Sequence, residues 1–222
     1  MIGVYDYTVI ATYASLASAV IGIFLSFQGM TFSALLCLIV SGVFDMFDGR
    51  IARTKKGRSL REKRFGIQID SFCDLIAFGV LPAAIGGSLL PPQASGALFF
   101  PLIGASVLYV LCGVIRLTHY NICAEEALEE GTYTGEFTGL PITTAALIFP
   151  ALYLLRYLSF FRSPLFVDLW TLVMLVTAAL FISKFRLRKP GKTGVILMLV
   201  AGTLIIALNV VFRLVYGAIS LV

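Results

Sequence analysis

Long apolar runs separated by short polar intervals dominate the chain, and their length sets the elements. Windows of about 20 predominantly apolar residues carry a helix across roughly 30 Å of hydrocarbon. Such windows fall at 8–28, 30–52, 67–90, 97–121, 140–160, 165–185 and 193–218. The runs have helical length and lack a strict two-residue alternation, so helices are expected rather than barrel strands. The pattern predicts an all-α integral membrane protein, a polytopic bundle of about seven transmembrane helices within a range of six to eight. The first run has no basic stretch before it and no small-residue cleavage site, so it is expected to be a retained helix rather than a signal peptide. Gly66 opens the third span, Pro91 and Pro92 end it, and Pro141 marks the start of the fifth. Pro82 lacks the backbone donor its turn requires and is expected to bend the third helix and widen a cavity, unless it is an ordinary transmembrane proline.

Composition agrees with this class. The 222 residues are 59% hydrophobic and 13% charged, with mean hydropathy +0.97, against roughly a quarter charged in soluble domains. The longest polar interval, 122–138, is too short to bury a core of its own, so one transmembrane domain over 1–222 is expected. One basic loop holds Lys55, Lys56, Arg58, Arg61, Lys63 and Arg64, and another holds Lys184, Arg186, Arg188, Lys189 and Lys192. Both are expected to face the cytoplasm, since the opposite loops offer only Arg156 and Arg162. For seven spans this places the N-terminus inside and the C-terminus outside. The net charge of +5 and the pI near 9.1 come almost wholly from those loops. A topology signal and anionic headgroups account for them, so nucleic acid is not expected as a partner. Cys37, Cys73, Cys112 and Cys123 show no paired spacing and are expected to be free thiols. The acidic run over 124–136 is expected to be a solvated cytoplasmic loop with a short helix.

The candidate chemistry lies in four aspartates inside apolar spans. Asp45 and Asp48 are three residues apart, Asp70 and Asp74 four apart, so on a helix each pair shares one face. Ionised carboxylates in hydrocarbon are costly and normally line a cavity or bind something positive. Arg50 and Arg53 are too few to neutralise four acids as a helix lock. Hard oxygen ligands suit Mg²⁺, Mn²⁺ or Ca²⁺, and four carboxylates exceed what one octahedral Mg²⁺ takes from protein, which suggests two ions sharing a ligand. Gly49 and Ala52 would let a nucleotide approach the backbone closely. Arg53 is either a bidentate phosphate donor or a positive-inside marker.

The pattern Asp45-x-x-Asp48-Gly49-x-x-Ala52-Arg53, then Gly66-x-x-x-Asp70-x-x-x-Asp74, resembles the signature of the CDP-alcohol phosphotransferases. The interval Thr54 to Phe65 is longer than usual for that family. Further segments, DSFCDLIAFGVLPA, CGVIRLTHYNI, FTGLP and FISKFRLRKP, are similar to the phosphatidylserine synthase branch in the same order. Arg116 and Asn121 match that branch, whereas His119 and Tyr120 stand where an arginine and a phenylalanine are usual.

The resemblance implies transfer of the phosphatidyl group from CDP-diacylglycerol to serine, with release of CMP and two Mg²⁺ or Mn²⁺ ions. It implies metal binding by Asp45, Asp48 and Asp70, and Asp74 as general base with metal contact. Donor contacts fall to Asp48, Gly49, Ala52, Arg53 and Gly66, and acceptor contacts to Arg116, with His119 and Asn121 beside it. His119 is otherwise an interfacial histidine without a ligand. A homodimer in the cell membrane, with its site toward the cytoplasm, is also implied. Small residues such as Gly104 and Ala105 would allow close packing. Two alternatives stay open: the same chemistry on glycerol 3-phosphate or inositol phosphate, and a divalent-cation channel or transporter.

Overall fold

The computed structural model describes residues 7–52, 54, 55, 57–130, 136–157, 164–188 and 192–219. A single 3₁₀ turn, Tyr7–Val9, leads into α1 (Ile10–Phe27), and α2 (Thr31–Ala52) returns antiparallel to it. Next, α3 (Leu60–Asp74), a π-helical segment (Leu75–Val80) and α4 (Leu81–Ser88) form one continuous run. α5 (Gly96–Glu130) follows, then α6 (Ala145–Leu154) between two 3₁₀ turns, α7 (Leu165–Ile182) and α8 (Lys192–Ile219). Five of these runs are long and apolar enough to cross a membrane, while Ile142–Tyr157 and Val200–Val215 are shorter apolar helices. Each expected window lands on one of the seven, and the helical class holds.

The ends differ from the hydropathy windows for identifiable reasons. The third run begins at Leu60 rather than 67, because Ser59 and Glu62 form a reciprocal capping box: Ser59 Oγ accepts from the Glu62 N–H at 3.2 Å, and the Glu62 carboxylate accepts from the Ser59 N–H at 2.8 Å. α5 has 35 residues, about 52 Å at 1.5 Å per residue, well beyond the hydrocarbon thickness. Its last turns absorb the start of the acidic run expected to be a loop. Two short strands also went unpredicted: β1 (Glu136–Thr138) pairs antiparallel with β2 (Arg186–Arg188), clipping the α5–α6 connection to the α7–α8 connection.

The surface is apolar where a soluble protein's would be polar, with Phe100 71%, Leu214 69% and Phe24 66% exposed, as expected of a bundle whose solvent is lipid. Inside, Phe78, Leu81, Tyr109, Phe149, Trp170 and Phe181 are buried in one cluster. Ala105 is buried there too, whereas Gly104 is exposed. All four cysteines are free thiols.

Pro82 sits at the start of α4, just after the π segment. The carbonyl it leaves without a backbone donor, four residues earlier, is that of Phe78, which accepts the buried Tyr109 hydroxyl at 2.6 Å. This bond ties α5 to the turn following Asp74.

Close packing relies on missing side chains. A Cβ on Gly42 would lie 2.7 Å from the Ala146 Cβ, so the bare backbone of α2 packs there against the Ala146 methyl group of α6. Gly42→Ala is expected to push the helices apart and cost about 1–3 kcal/mol. A lower thermal midpoint in detergent checks this, and an unchanged midpoint would refute it.

Candidate functional site

The acidic segment of α2 is oriented by α1. Ser15 Oγ donates to the Ser41 carbonyl at 3.1 Å and Ser41 Oγ to the Ser15 carbonyl at 2.9 Å, which fixes the register of the pair. Two turns further, Thr12 Oγ1 donates to Asp48 Oδ2 at 3.2 Å. α3 is fixed by α5. Arg64 forms an ion pair with Glu129, Gln68 Nε2 donates to Glu125 Oε1 at 2.9 Å, and Ser71 Oγ donates to Asn121 Oδ1 at 2.6 Å. Asn121 Nδ2 in turn donates to Gln68 Oε1 at 3.2 Å. Residues 64, 68 and 71 share one helical face, so this polar seam sets the rotation of the helix that carries Asp70 and Asp74. Glu125 and Glu129 therefore do more than solvate a loop.

With both helices held, one carboxylate oxygen each from Asp45, Asp70 and Asp74 lies within 4.8 Å of the others. Asp48 stands beside this trio, at hydrogen-bonding separation from Asp70, as Asp45 is from Asp74. Asp48 and Asp74 are buried, and Asp70 Oδ1 is buried with no hydrogen-bond partner among the described residues. No described Lys or Arg is ion-paired to any of the four. Arg50 instead lies over the Phe47 ring, 6.0 Å from its centroid, and Arg53 lies outside the described residues. Converging carboxylates with an orphaned buried oxygen and no basic partner among the described residues lack, within those residues, the compensation that buried charge requires. Their donor chemistry, all hard oxygen, fits a divalent cation.

A cavity of about 240 Å³ opens beside the trio, lined by Asp48, Gly49, Ala52, Gly66 and Asp70 together with Thr8, Val9, Thr12, Arg58, Lys63, Ile67 and Leu128. A Cβ on Gly49 would meet nothing within 4 Å, so that backbone is open to a bound group. The second set of residues escaped the sequence reading. Thr12 and Leu128 reach the cavity only through tertiary packing, and Arg58 and Lys63 were counted there only as topology signals.

The three residues tied to an acceptor fall elsewhere, and none lines this cavity. Asn121 belongs to the α3–α5 seam. His119 is exposed, its Nδ1 4.0 Å from Cys123 Sγ. Arg116 is buried on α5. It lies between Asn121, which bonds Ser71, and Gly113, which faces Leu75, and so sits at about the depth of Asp74. A Cβ on Gly139 would come within 2.9 Å of Arg116 Nη1 and within 2.9 and 3.0 Å of the Ser183 and Phe181 carbonyls. Gly139 has φ +74°, so both space and backbone demand glycine there.

The family model described as CDP-alcohol phosphatidyltransferase matches residues 8–183. An archaetidylserine synthase from Methanothermobacter thermautotrophicus is 34% identical over 145 residues, 64% of this chain and 55% of that protein. A CDP-diacylglycerol–serine O-phosphatidyltransferase from Saccharomyces cerevisiae is 33% identical over 123 residues, 54% of this chain and 41% of that protein. The protein of that name from Bacillus subtilis is 32% identical over 142 residues, 63% of this chain and 67% of that one. The chain spans about half the length of the first two relatives.

Proposed function

Since the chain belongs to the CDP-alcohol phosphatidyltransferase family, we propose that it transfers the phosphatidyl group of CDP-diacylglycerol to L-serine, giving phosphatidylserine and CMP. The observation that carries this is the convergence of Asp45, Asp70 and Asp74 beside a cavity lined by Asp48, Gly49, Ala52 and Gly66. Asp45, Asp48 and Asp70, with Asp74 in contact, would hold two divalent ions, Mg²⁺ or Mn²⁺, which when bound would supply charge stabilisation for the diphosphate and the departing nucleotide.

The chain's own residues do the remainder. Gly49 and Ala52 admit the nucleotide to the backbone, and Arg53 contributes a phosphate contact. Asp74 takes the serine hydroxyl proton as the oxygen bonds to the lipid-side phosphorus, and the bond from that phosphorus to CMP breaks with its electron pair leaving on CMP. Arg116 is the cation for the serine carboxylate, at the depth of the base. The site faces the cytoplasm, in keeping with the basic α2–α3 connection at its rim. The protein acts as a homodimer in the cell membrane.

The relatives' printed names share serine and differ in the lipid, archaetidyl in one and diacylglycerol in the other. This supports serine as acceptor and makes the archaetidyl donor a second reading. The deciding experiment incubates the purified protein with either CDP-lipid, Mg²⁺ or Mn²⁺, and serine, glycerol 3-phosphate or inositol phosphate, following CMP and the lipid product. Serine-dependent CMP release is expected. Release with a phosphorylated alcohol alone would reassign the acceptor, and metal flux through liposomes without CMP release would point to a channel.

A further inference from the structure

Arg58 lies in the connection between α2 and α3 and lines the cavity together with Asp48 and Asp70. Among the described residues its guanidinium is held by two carbonyls. Nη1 donates to the Ala52 carbonyl at 3.5 Å and Nη2 to the Glu62 carbonyl at 3.3 Å. The neighbouring carboxylate is already engaged: Glu62 Oε1 accepts from Lys55 Nζ at 2.7 Å and Oε2 from the Ser59 N–H at 2.8 Å. Among the described residues Arg58 therefore has no carboxylate partner, and its Nε is buried without any hydrogen-bond partner. A guanidinium carries five donors in a fixed fork. Two long bonds to neutral carbonyls leave most of that capacity unused, and a buried orphan donor normally has a reason.

Gly66 supplies the seat. A Cβ there would stand 2.9 Å from Arg58 Nη2, so the bare backbone of α3 is what lets the guanidinium lie against the helix at the cavity wall. The capping box fixes the chain next to Arg58, so its position is set before any ligand arrives. The cavity thus carries carboxylates suited to cations on one part of its lining and a fixed fork cation on another. A diphosphate complements both at once, its oxygens shared between cations and guanidinium.

We propose that Arg58 is a diphosphate ligand of the nucleotide–lipid donor, seated by the absence of a side chain at Gly66. This rests on the reading of the cavity as the donor site. The full chain, purified in detergent with Mg²⁺, is titrated with CDP, inorganic pyrophosphate and cytidine. Arg58→Gln is expected to weaken CDP and pyrophosphate alike by about 10-fold or more, leaving cytidine unaffected. Arg58→Lys, which keeps the charge without the fork, is expected to fall between, and Gly66→Ala, which displaces the guanidinium while keeping it, to resemble Arg58→Gln. Arg61→Gln, which removes an exposed cation in the first turn of α3, is expected to bind as wild type. Unfolding midpoints equal to wild type establish that the variants are folded, and if Arg58→Gln is not, the Lys variant carries the test.

In turnover, the KM for the CDP-lipid is expected to rise while that for serine holds. Wild-type affinity of folded Arg58→Gln, or of Arg58→Lys where only that variant folds, for CDP and pyrophosphate overturns the proposal. So does a loss of cytidine binding as large as that of CDP. If wild type releases no CMP yet Arg58→Gln loses pyrophosphate affinity, the transferase reading fails and the ligand assignment stands. If wild type transfers normally and the variant binds CDP equally well, only the assignment of Arg58 fails.

Discussion

Asp70→Asn is expected to abolish transfer and metal response together. Asp70 is central to the carboxylate cluster: one oxygen belongs to the trio with Asp45 and Asp74, its side chain approaches Asp48, and its Oδ1 is buried without a partner among the described residues. An amide there keeps the shape, removes the charge and turns one acceptor into a donor aimed at other acids. The carboxylates left behind lose one of the two contacts that join the α2 and α3 pairs. Metal-borne charge stabilisation is worth several kcal/mol in a transition state, so a loss of about 10³-fold or more in kcat is expected. The check is CMP release across a Mg²⁺ and Mn²⁺ titration, with metal binding by calorimetry on the same preparation. An active variant with an unchanged metal midpoint would remove Asp70 from the bridging position. Folding is not the weak point, because the α3–α5 seam at Gln68, Ser71 and Asn121 fixes this turn without using the Asp70 side chain.

The four aspartates were legible because charge inside a twenty-residue apolar run stands out against its surroundings. The same half-motifs lie within the matched family span, 8–183, so the residues that carried the resemblance also carry the membership. Helix ends were less legible. A hydropathy window detects lipid-facing turns, and the first turns of α3 and the last of α5 are polar, stabilised by a capping box and by cross-helix pairs such as Arg64–Glu129. The β1–β2 ribbon left no local signal, since each strand is three residues long and exists only by pairing across some fifty positions of chain. Asn121 reads as a ligand because its sequence neighbourhood resembles a family segment; in three dimensions its amide also bonds Ser71 and Gln68, a structural use that the sequence does not show. Thr12 had no distinguishing context at all, being one hydroxyl on an apolar helix until packing brings Asp48 opposite.

Asp74→Asn separates proton transfer from metal holding, which Asp70→Asn cannot. Asp74 is buried at the C-terminal end of α3, where the π segment begins and where the Tyr109 bond to Phe78 anchors the following turn. Its carboxylate meets Asp45 at hydrogen-bonding separation, so an asparagine can still donate to Asp45 and the local geometry is retained. It cannot accept the proton of a serine hydroxyl. General-base catalysis typically contributes 10²–10⁴-fold, and kcat is expected to fall by about that factor while CDP affinity stays near wild type and the Mg²⁺ midpoint shifts far less than in Asp70→Asn. Since the proposed function gives the serine carboxylate to Arg116, which this substitution leaves in place, the KM for serine is expected to change little as well. Turnover near wild type would take Asp74 out of the base role. Loss of metal affinity in step with kcat would make it chiefly a metal ligand and leave the proton to another acceptor, with Asp45, which lies beside it, the next to substitute.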